Sequence, residues 1–411
     1  MKKILIITYD SPNIDRRIYL ISDSLEKSGY DVNILTPYAN VEEGYEHIKV
    51  INLIEKNPFN TVSSPVFIKD ILRKYLPNKL FNFIKSLYRS LFTSDGYIPY
   101  LEEMKNKATS IKADIYVAVD LITLPIVESC IDKNGGSFVY DAHEFFLGQK
   151  ILTEKQKECL GKLETDIFPK VDLLITVNED IRNLFFERYG QVESEIILNA
   201  TKDCLNEKKY LHDLIGVSRD VPLILYQGGF IGNRKLENLV NMATHLENSL
   251  LVMLGWGDLE SKLRKLASDL NVLNKKVFFI PKISQKELIS YTSSAKIGII
   301  PYEPCDLNTK FCTPNKLFEF ICAGIPIAYN SKLVTVDRII KQYSIGIQID
   351  INDPKGSAQI LDNLLVQSKL YNSLEVNVSK ANQVVNWENE EKKLLHVFRN
   401  LKPKNNSITP Q

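Results

Sequence analysis

The sequence predicts an α/β protein made of two doubly wound domains facing a cleft. Three observations predict it. Short β-rich apolar runs alternate with amphipathic stretches through both halves of the chain. A charged and polar stretch, 199–221, followed by Pro222, interrupts that alternation once, as a hinge would. At 411 residues, 44% hydrophobic and 25% charged, the chain can bury more than one core, which excludes disorder, collagen-like repeats and coiled coil as global descriptions.

The first half opens with a strand over 3–8, broken at Pro12 and Asn13. An amphipathic helix follows at 16–27, where Ile18, Ile21 and Leu25 recur at helical spacing. Gly29 sits where a helix-terminating glycine belongs, and 32–35 is the next strand. Later strands are expected at 115–119, 138–140, 173–177 and 196–198, each but the last followed by a polar turn and a helical pattern. The second half has strands at 223–226, 250–254, 277–280, 297–300, 325–328 and 346–349. Helices between them fall at 236–246, 259–270, 285–293, 314–323 and 336–342. Trp387, Leu394, Leu395, Phe398 and Leu401 make the tail amphipathic with no strand to serve, so a helix over 386–401 is expected to pack back on the first domain. The domains are thus expected at 1–200 and 201–385. Ligands of such sheets bind beyond the carboxyl ends of the strands, so the cleft is the expected active site.

Lys+Arg is 51 against Asp+Glu 50, a net charge of +1, so no global field draws the protein to nucleic acid. The N-terminal apolar run is too short for a signal peptide, and the longest mostly apolar stretch, 115–127, is broken by Asp120. Cys130, Cys159, Cys204, Cys305, Cys312 and Cys322 form no CxxC pair, which predicts reduced thiols and neither a disulfide framework nor a zinc site. A cytoplasmic location is expected. Without an Asp-x-Asp pair, no metal held by that pattern is expected.

The densest motif runs from Pro301 through Leu307-Asn308-Thr309 to Thr313-Pro314-Asn315-Lys316-Leu317-Phe318-Glu319. Thr313 is placed to cap a helix whose first position is Pro314, and the free N–H groups there make an anion site. Asn315, Lys316 and Glu319 share one face of a helix otherwise apolar. An ammonium beside exposed amides suits a diphosphate; a carboxylate one turn deeper suits ribose hydroxyls. A second motif, Tyr226-Gln227-Gly228-Gly229-Phe230-Ile231-Gly232-Asn233-Arg234-Lys235, is a strand running into a glycine-rich loop. Arg234 and Lys235 at a helix start oppose the macrodipole unless an anion lies between them. Leu254-Gly255-Trp256-Gly257-Asp258 has Glu260 at the third glycine position, which weakens a dinucleotide reading but permits close backbone approach to a ligand.

In the first half, Tyr140-Asp141-Ala142-His143-Glu144 ends one strand and Asp120 is expected to end the strand before it. His143 reads equally as a general base or a hydrogen-bonded wall residue. Residues 65–92 carry Lys69, Arg73, Lys74, Lys79, Lys85 and Arg89 among apolar residues, which suits an anionic membrane surface or, alternatively, a helix pair with a solvated basic face.

With these residues in hand, the chain resembles the GT-B retaining glycosyltransferases of family 4 over almost its whole length. The likeness rests on Asp15-Arg16-Arg17-Ile18, Gly29-Tyr30-Asp31-Val32, Tyr140 to Glu144, Asp172 to Glu179, Tyr226 to Gly229, Leu307 to Thr309, Pro314 to Glu319 and Ala323-Gly324-Ile325-Pro326. The resemblance implies a nucleotide-sugar donor on the second domain and an acceptor on the first. Glu319 falls on the ribose-binding second glutamate of Glu-x7-Glu and Arg234 on the diphosphate-gripping basic residue. Amides near Asn315, Lys316 and Leu317 would complete that grip, and backbone near Ile283 would read the base. Gly228, Gly229, Lys235, Gly255, Asn308 and Thr309 complete the expected donor site; Asp15, Arg16 and Glu144 are expected on the acceptor side. Three positions depart from the pattern. Phe311 replaces the first glutamate, Gly229 a second arginine, and Val119 a histidine, leaving Asp120 and His143 as catalytic candidates.

The implied function is retaining transfer of a sugar from a UDP- or GDP-sugar to a hydroxyl of a glycan or lipid-linked saccharide. Bacterial surface polysaccharide synthesis is the expected setting, with no cofactor, no metal and no nucleic acid. The protein would be cytoplasmic, peripheral at the inner membrane face. Arg234 and Lys316 would stabilise the leaving group, and Asp120 or His143 would orient the acceptor. The rival readings are a non-catalytic sugar-nucleotide or glycan-binding protein of the same fold and a nucleotide-sugar epimerase. A nicotinamide dehydrogenase is disfavoured by Glu260.

Overall fold

A computed structural model describes residues 1–11, 13–54, 100–202 and 207–403. The basic amphipathic stretch 65–92 and Cys204 lie outside the described residues. The chain divides into unit 1, Met1–Ile196 with the segment from Lys393 onward, and unit 2, Ile197–Lys392.

Unit 1 is a parallel sheet of seven strands in the order β3-β2-β1-β4-β5-β6-β7. These are β1 Lys3–Ile7, β2 Asp31–Thr36, β3 Lys49–Asn52, β4 Ile115–Val119, β5 Ser137–Ala142, β6 Leu173–Thr176 and β7 Ser194–Ile196. Among the described residues five helices connect them: α1 Arg16–Lys27, α2 Leu101–Thr109, α3 Asp120–Asn134, α4 Glu154–Ile167 and α5 Glu179–Tyr189. Helices cover a parallel sheet on both faces, so its central strands are continuously apolar; all five residues of β4, Ile-Tyr-Val-Ala-Val, are buried. β1 pairs with β2 on one side and β4 on the other, so the direction of winding reverses between β1 and β4.

Unit 2 begins with α6 Leu211–Ile215 and holds six parallel strands in the order β10-β9-β8-β11-β12-β13. They are β8 Leu223–Gly229, β9 Leu250–Trp256, β10 Val277–Ile280, β11 Ile297–Ile300, β12 Ile327–Asn330 and β13 Gly346–Ile349. The helices among them are α7 Leu236–Ala243, α8 Glu260–Asp269, α9 Gln285–Thr292, α10 Leu307–Phe311, α11 Asn315–Cys322 and α12 Val334–Tyr343. α13 Pro354–Val366 and α14 Ser368–Asn382 follow, and α15 Trp387–Asn400 begins in unit 2 and continues into the segment of unit 1 that starts at Lys393. The reversal here lies between β8 and β11.

Two local expectations are corrected. Pro314 is the N-cap of α11, in extended backbone with φ −66° and ψ 145°; the helix begins at Asn315 and no side chain caps it. The strand placed at 325–328 runs two residues later, Ile327–Asn330, because Gly324 takes φ +74° and delays the turn into the sheet. Cys130, Cys159, Cys305, Cys312 and Cys322 form no disulfide among the described residues.

Candidate functional site

In unit 2 the site grows from the β8–β9 pair. Gly228 and Gly255 face each other in register, with φ +123° and +154°. A Cβ on Gly255 would stand 2.0 Å from the Gly228 carbonyl oxygen, so only glycine fits. A Cβ on Gly228 would stand 3.2 Å from the Lys316 ammonium, which occupies the space that the glycine leaves.

Lys316 lies in the first turn of α11 and is 5% exposed. Its Nζ has no hydrogen-bond partner among the described residues. The ammonium stands 3.8 Å from the Tyr226 ring centre and 4.9 Å from that of Tyr302, and the Arg234 guanidinium is 3.7 Å from the Tyr302 ring centre. Two cations therefore share one aromatic ring. Burial, with Arg234 adding repulsion, drives the Lys316 ammonium well below the usual lysine range, while Glu319 opposes the shift. Such a group is satisfied by an anion.

Glu319, one turn on in α11, is buried and accepts from Gln227 Nε2 at 2.5 Å; Gln227 is held in turn by Thr292 Oγ1, which donates to its Oε1 at 2.8 Å. The Leu317 amide donates to Pro314 O at 2.9 Å. The amides of Asn315 and Lys316 belong to the turn whose N–H groups have no intrahelical acceptor.

The other residues expected at the donor site are distributed as follows. Lys235 is turned aside: its ammonium pairs with Glu303 at 2.7 Å and donates to Asn352. Glu303 also takes Lys332 at 3.2 Å and Asn352 Nδ2 at 3.0 Å, and these partners, Lys235 first, hold its carboxyl down at about 2. Thr309 is buried in α10, and its amide is capped by Asp306 Oδ1 at 2.7 Å. Asn308 is its neighbour in α10. Gly229 lies opposite Trp256 in the ladder. Ile283, half-buried in the loop after β10, packs on the core.

In unit 1 a second polar cluster gathers at the carboxyl ends of β1, β4 and β5. β4 runs Ile115–Val119 as expected, and Asp120 follows it directly, opening α3 with φ +57°. The His143 amide donates to Asp120 Oδ1 at 2.9 Å. His143 Nε2 meets Asp141 Oδ2 at 3.0 Å, and the other oxygen of Asp141 takes Arg17 Nη2 at 3.1 Å. Burial raises the Asp120 carboxyl to about 7 against the pull of His143. Burial would likewise raise Asp141, but Arg17 and His143 outweigh it and hold that carboxyl well below its usual range. For His143, burial would lower the imidazolium; Asp141 and Asp120 outweigh it and lift it to about 9.

The three residues expected on the acceptor side have local partners. Asp15 is the N-cap of α1, accepting from the Arg17 amide at 2.8 Å, and its own amide donates to Asp10 Oδ2 at 2.9 Å. Arg16 opens α1, half-buried. Glu144 accepts from Gln149 Nε2. Sequence reasoning gave no role to Tyr226, Tyr302, Gln227, Arg17 or Asp141. Tyr226 lies within β8 and Tyr302 two residues past β11, so neither carried a signal of its own; Arg17 stood in the Asp15-to-Ile18 motif without a role.

Each cluster sits where its own sheet reverses winding, the position at which doubly wound sheets take ligands. The architecture, two parallel sheets with helices, is the GT-B fold. Sucrose-phosphate synthase from Thermosynechococcus elongatus matches with TM-score 0.70 at 16% identity, over 97% of this chain and 99% of that one. Anabaena Alr3699/HepE in complex with UDP and glucose matches with TM-score 0.71 at 12% identity, over 98% and 100%. An E. coli trehalose-6-phosphate structure bound with UDP-2-fluoro glucose gives 0.67 at 12%, over 98% and 100%. Residues 211–381 match the family model described as glycosyl transferases group 1, so the second unit carries a glycosyltransferase domain. A comparison with curated proteins finds no match.

Proposed function

We propose that the protein is a retaining glycosyltransferase that takes a sugar from a UDP- or GDP-sugar held by unit 2 and delivers it to a hydroxyl of a glycan or lipid-linked saccharide held by unit 1. The observation that carries this reading is the buried Lys316 ammonium, without a hydrogen-bond partner among the described residues, beside Gly228 and sharing the Tyr302 ring with Arg234. Only a strongly anionic ligand compensates two such cations, and a diphosphate can approach them over backbone that lacks a Cβ. Glu319, fixed by Gln227, takes the ribose hydroxyls. UDP and UDP-2-fluoro glucose in structural neighbours support the donor class.

In the proposed reaction, Arg234 and Lys316 stabilise charge as the sugar–phosphate bond breaks, with no metal assigned to that task. The departing diphosphate oxygen takes up the acceptor's proton on the same face of the sugar, which retains configuration. Asp120 or His143 orients the acceptor. The setting is bacterial surface polysaccharide synthesis in the cytoplasm at the inner membrane face, through residues 65–92. No helix among the described residues is long and apolar enough to cross a membrane.

A panel of UDP- and GDP-sugars screened by thermal shift, followed by nucleoside diphosphate release, tests the donor reading. A stabilising sugar nucleotide that the protein slowly hydrolyses supports it; no shift with any of them overturns it. Sedimentation with anionic vesicles at low salt, lost at high salt, tests the membrane reading. Phe311 favours a second reading, a sugar-nucleotide-binding protein without transfer, because a ring under the Lys310 ammonium stands where the resemblance expects a sugar-contacting carboxylate. Binding without hydrolysis supports that alternative.

A further inference from the structure

The donor site leaves the ionic chain of unit 1 without a role. Arg17 and Asp141 are buried to 3% and 2% side-chain exposure, and their ion pair joins the first turn of α1 to the end of β5. Stability is a poor reason for such a pair, since burying two charges costs about as much as their attraction returns. Its geometry points instead to the residue at its outer end. His143 is 16% exposed, with Nε2 fixed on Asp141. Nδ1 makes no hydrogen bond among the described residues and is not sealed from solvent. The second oxygen of Asp120 is in the same condition. One open nitrogen and one open carboxylate oxygen thus stand on adjacent strand ends, since Val119 and Asp141 are ladder partners.

We propose that Arg17 and Asp141 are positioning residues for His143, holding its ring so that Nδ1–H donates to an acceptor hydroxyl oxygen while the open oxygen of Asp120 accepts that hydroxyl's proton in a hydrogen bond. The pairing of one donor with one acceptor selects a neutral hydroxyl over a phosphate or a carboxylate. This rests on the reading of unit 1 as the acceptor side.

The charged groups around the ring are consistent with that role. Asp141 faces it from β5, Asp120 from the start of α3, Arg17 from α1, and Asp10 from the loop after β1; Glu144 adjoins it. Arg17 keeps Asp141 ionised, and Asp141 keeps both ring nitrogens protonated through neutral pH, so Nδ1 is a donor rather than an acceptor.

The test uses the full chain and Asp141→Asn, Arg17→Lys and His143→Gln variants, with two readouts. The first is nitrogen NMR of labelled histidine, His143 being assigned by its loss in His143→Gln. Its titration in the wild type is expected near 9, at least one pH unit lower in Asp141→Asn, and close to wild type in Arg17→Lys. The second is nucleoside diphosphate release from UDP-glucose and GDP-mannose, with water as acceptor, from pH 6 to 10. Asp141→Asn is expected to lower kcat about 10- to 100-fold with donor KM unchanged, moving the alkaline limb to lower pH, and Arg17→Lys to keep most of the wild-type rate. A wild-type His143 titrating near 6.5, or an Asp141→Asn variant that leaves its titration in place, overturns the proposal. So does an equal loss of donor affinity, which would mark the chain as scaffolding. If Asp141→Asn does not fold, the wild-type titration decides the first readout, and His143→Gln, expected to lose a similar share of kcat with donor KM unchanged, decides the second; no loss of kcat in it overturns the proposal. If neither nucleotide sugar is bound or cleaved by the wild type, the donor reading fails, while the NMR result still judges the positioning of His143.

Discussion

Replacing Lys316 with methionine separates what stabilises unit 2 from what the unit is for. The residue is 5% exposed and its ammonium lacks a hydrogen-bond partner among the described residues. Removing an ammonium from water costs several kcal/mol even after relaxation, an amount bounded by the option of losing the proton. The ring faces of Tyr226 and Tyr302, at 3.8 and 4.9 Å, return about 2 kcal/mol. Arg234 repels, and the weaker attraction of Glu319 only partly offsets it. The balance leaves the empty unit destabilised by about 1–3 kcal/mol, which an apolar side chain of similar length recovers. For a unit of this size that raises Tm by about 2–12 °C. The same change removes a desolvated partner of the diphosphate, weakening nucleotide binding by about 2–4 kcal/mol, or about 30- to 1,000-fold. Differential scanning fluorimetry with and without UDP and GDP reads both effects. A Lys316→Met protein that melts lower than wild type, or responds to nucleotide at the same concentrations as wild type, refutes the reasoning. In the wild type, the diphosphate should also restore the proton that burial disfavours. Calorimetric binding enthalpy should then vary with buffer ionisation heat in the sense of proton uptake, and the dependence should vanish in the variant.

The two facing glycines should respond differently to alanine. Gly255→Ala drives a methyl to 2.0 Å from backbone oxygen, so unit 2 should not fold, seen as loss of soluble protein. Gly228→Ala meets only the end of Lys316, at 3.2 Å, so it should fold with a loss of about 1–3 kcal/mol from its φ of +123° and bind nucleotide poorly by thermal shift. Thr292→Val strips the donor from buried Gln227 Oε1 and should cost about 1–3 kcal/mol in denaturant unfolding, with weaker nucleotide affinity as Glu319 loses its brace. In unit 1, the raised His143 contributes stability that is complete below its ordinary pKa of 6.5 and is lost as pH rises through about 9. Asp120, raised to about 7, also favours the protonated folded form, so stability falls as pH climbs from about 4 to 7; Asp141, lowered, protects only above its ordinary 3.8. Hydrogen exchange in β4 and β5 against pH should therefore show strongest protection near pH 5, and Asp120→Asn should flatten the decline toward pH 7. An unchanged decline would exclude that carboxyl as its source.

Much of this was legible in the chain because parallel strands buried on both faces leave uninterrupted apolar runs. Strand β10 is found at Val277–Ile280 and β11 at Ile297–Ile300, as the pattern requires. β3, Lys49–Asn52, escaped notice because an edge strand with no fully buried residue has no such run. Pro314 shows the other limit. Its ring suits either the first helical position or the cap before it, and backbone outside the helix decides. In the donor cluster, Arg234, Lys316 and Glu319 could be read from charge on an apolar helix and on a glycine loop. The aromatic floor beneath them could not, since Tyr226 and Tyr302 lie far apart in sequence and meet only because β8 and β11 are neighbours. The same holds for Arg17 and Asp141, joined across 124 residues.

The carboxylate of Glu303 makes neighbours in sequence strangers in purpose. It fastens the ammonium of residue 235, the loop bearing Lys332 and the loop bearing Asn352 into one staple along the rim of the second sheet. A double swap, Arg234→Lys with Lys235→Arg, would preserve composition, net charge and the look of the motif. It would nonetheless exchange a planar fork for a point charge over the tyrosine ring, and ask the staple to close around a longer, stiffer head.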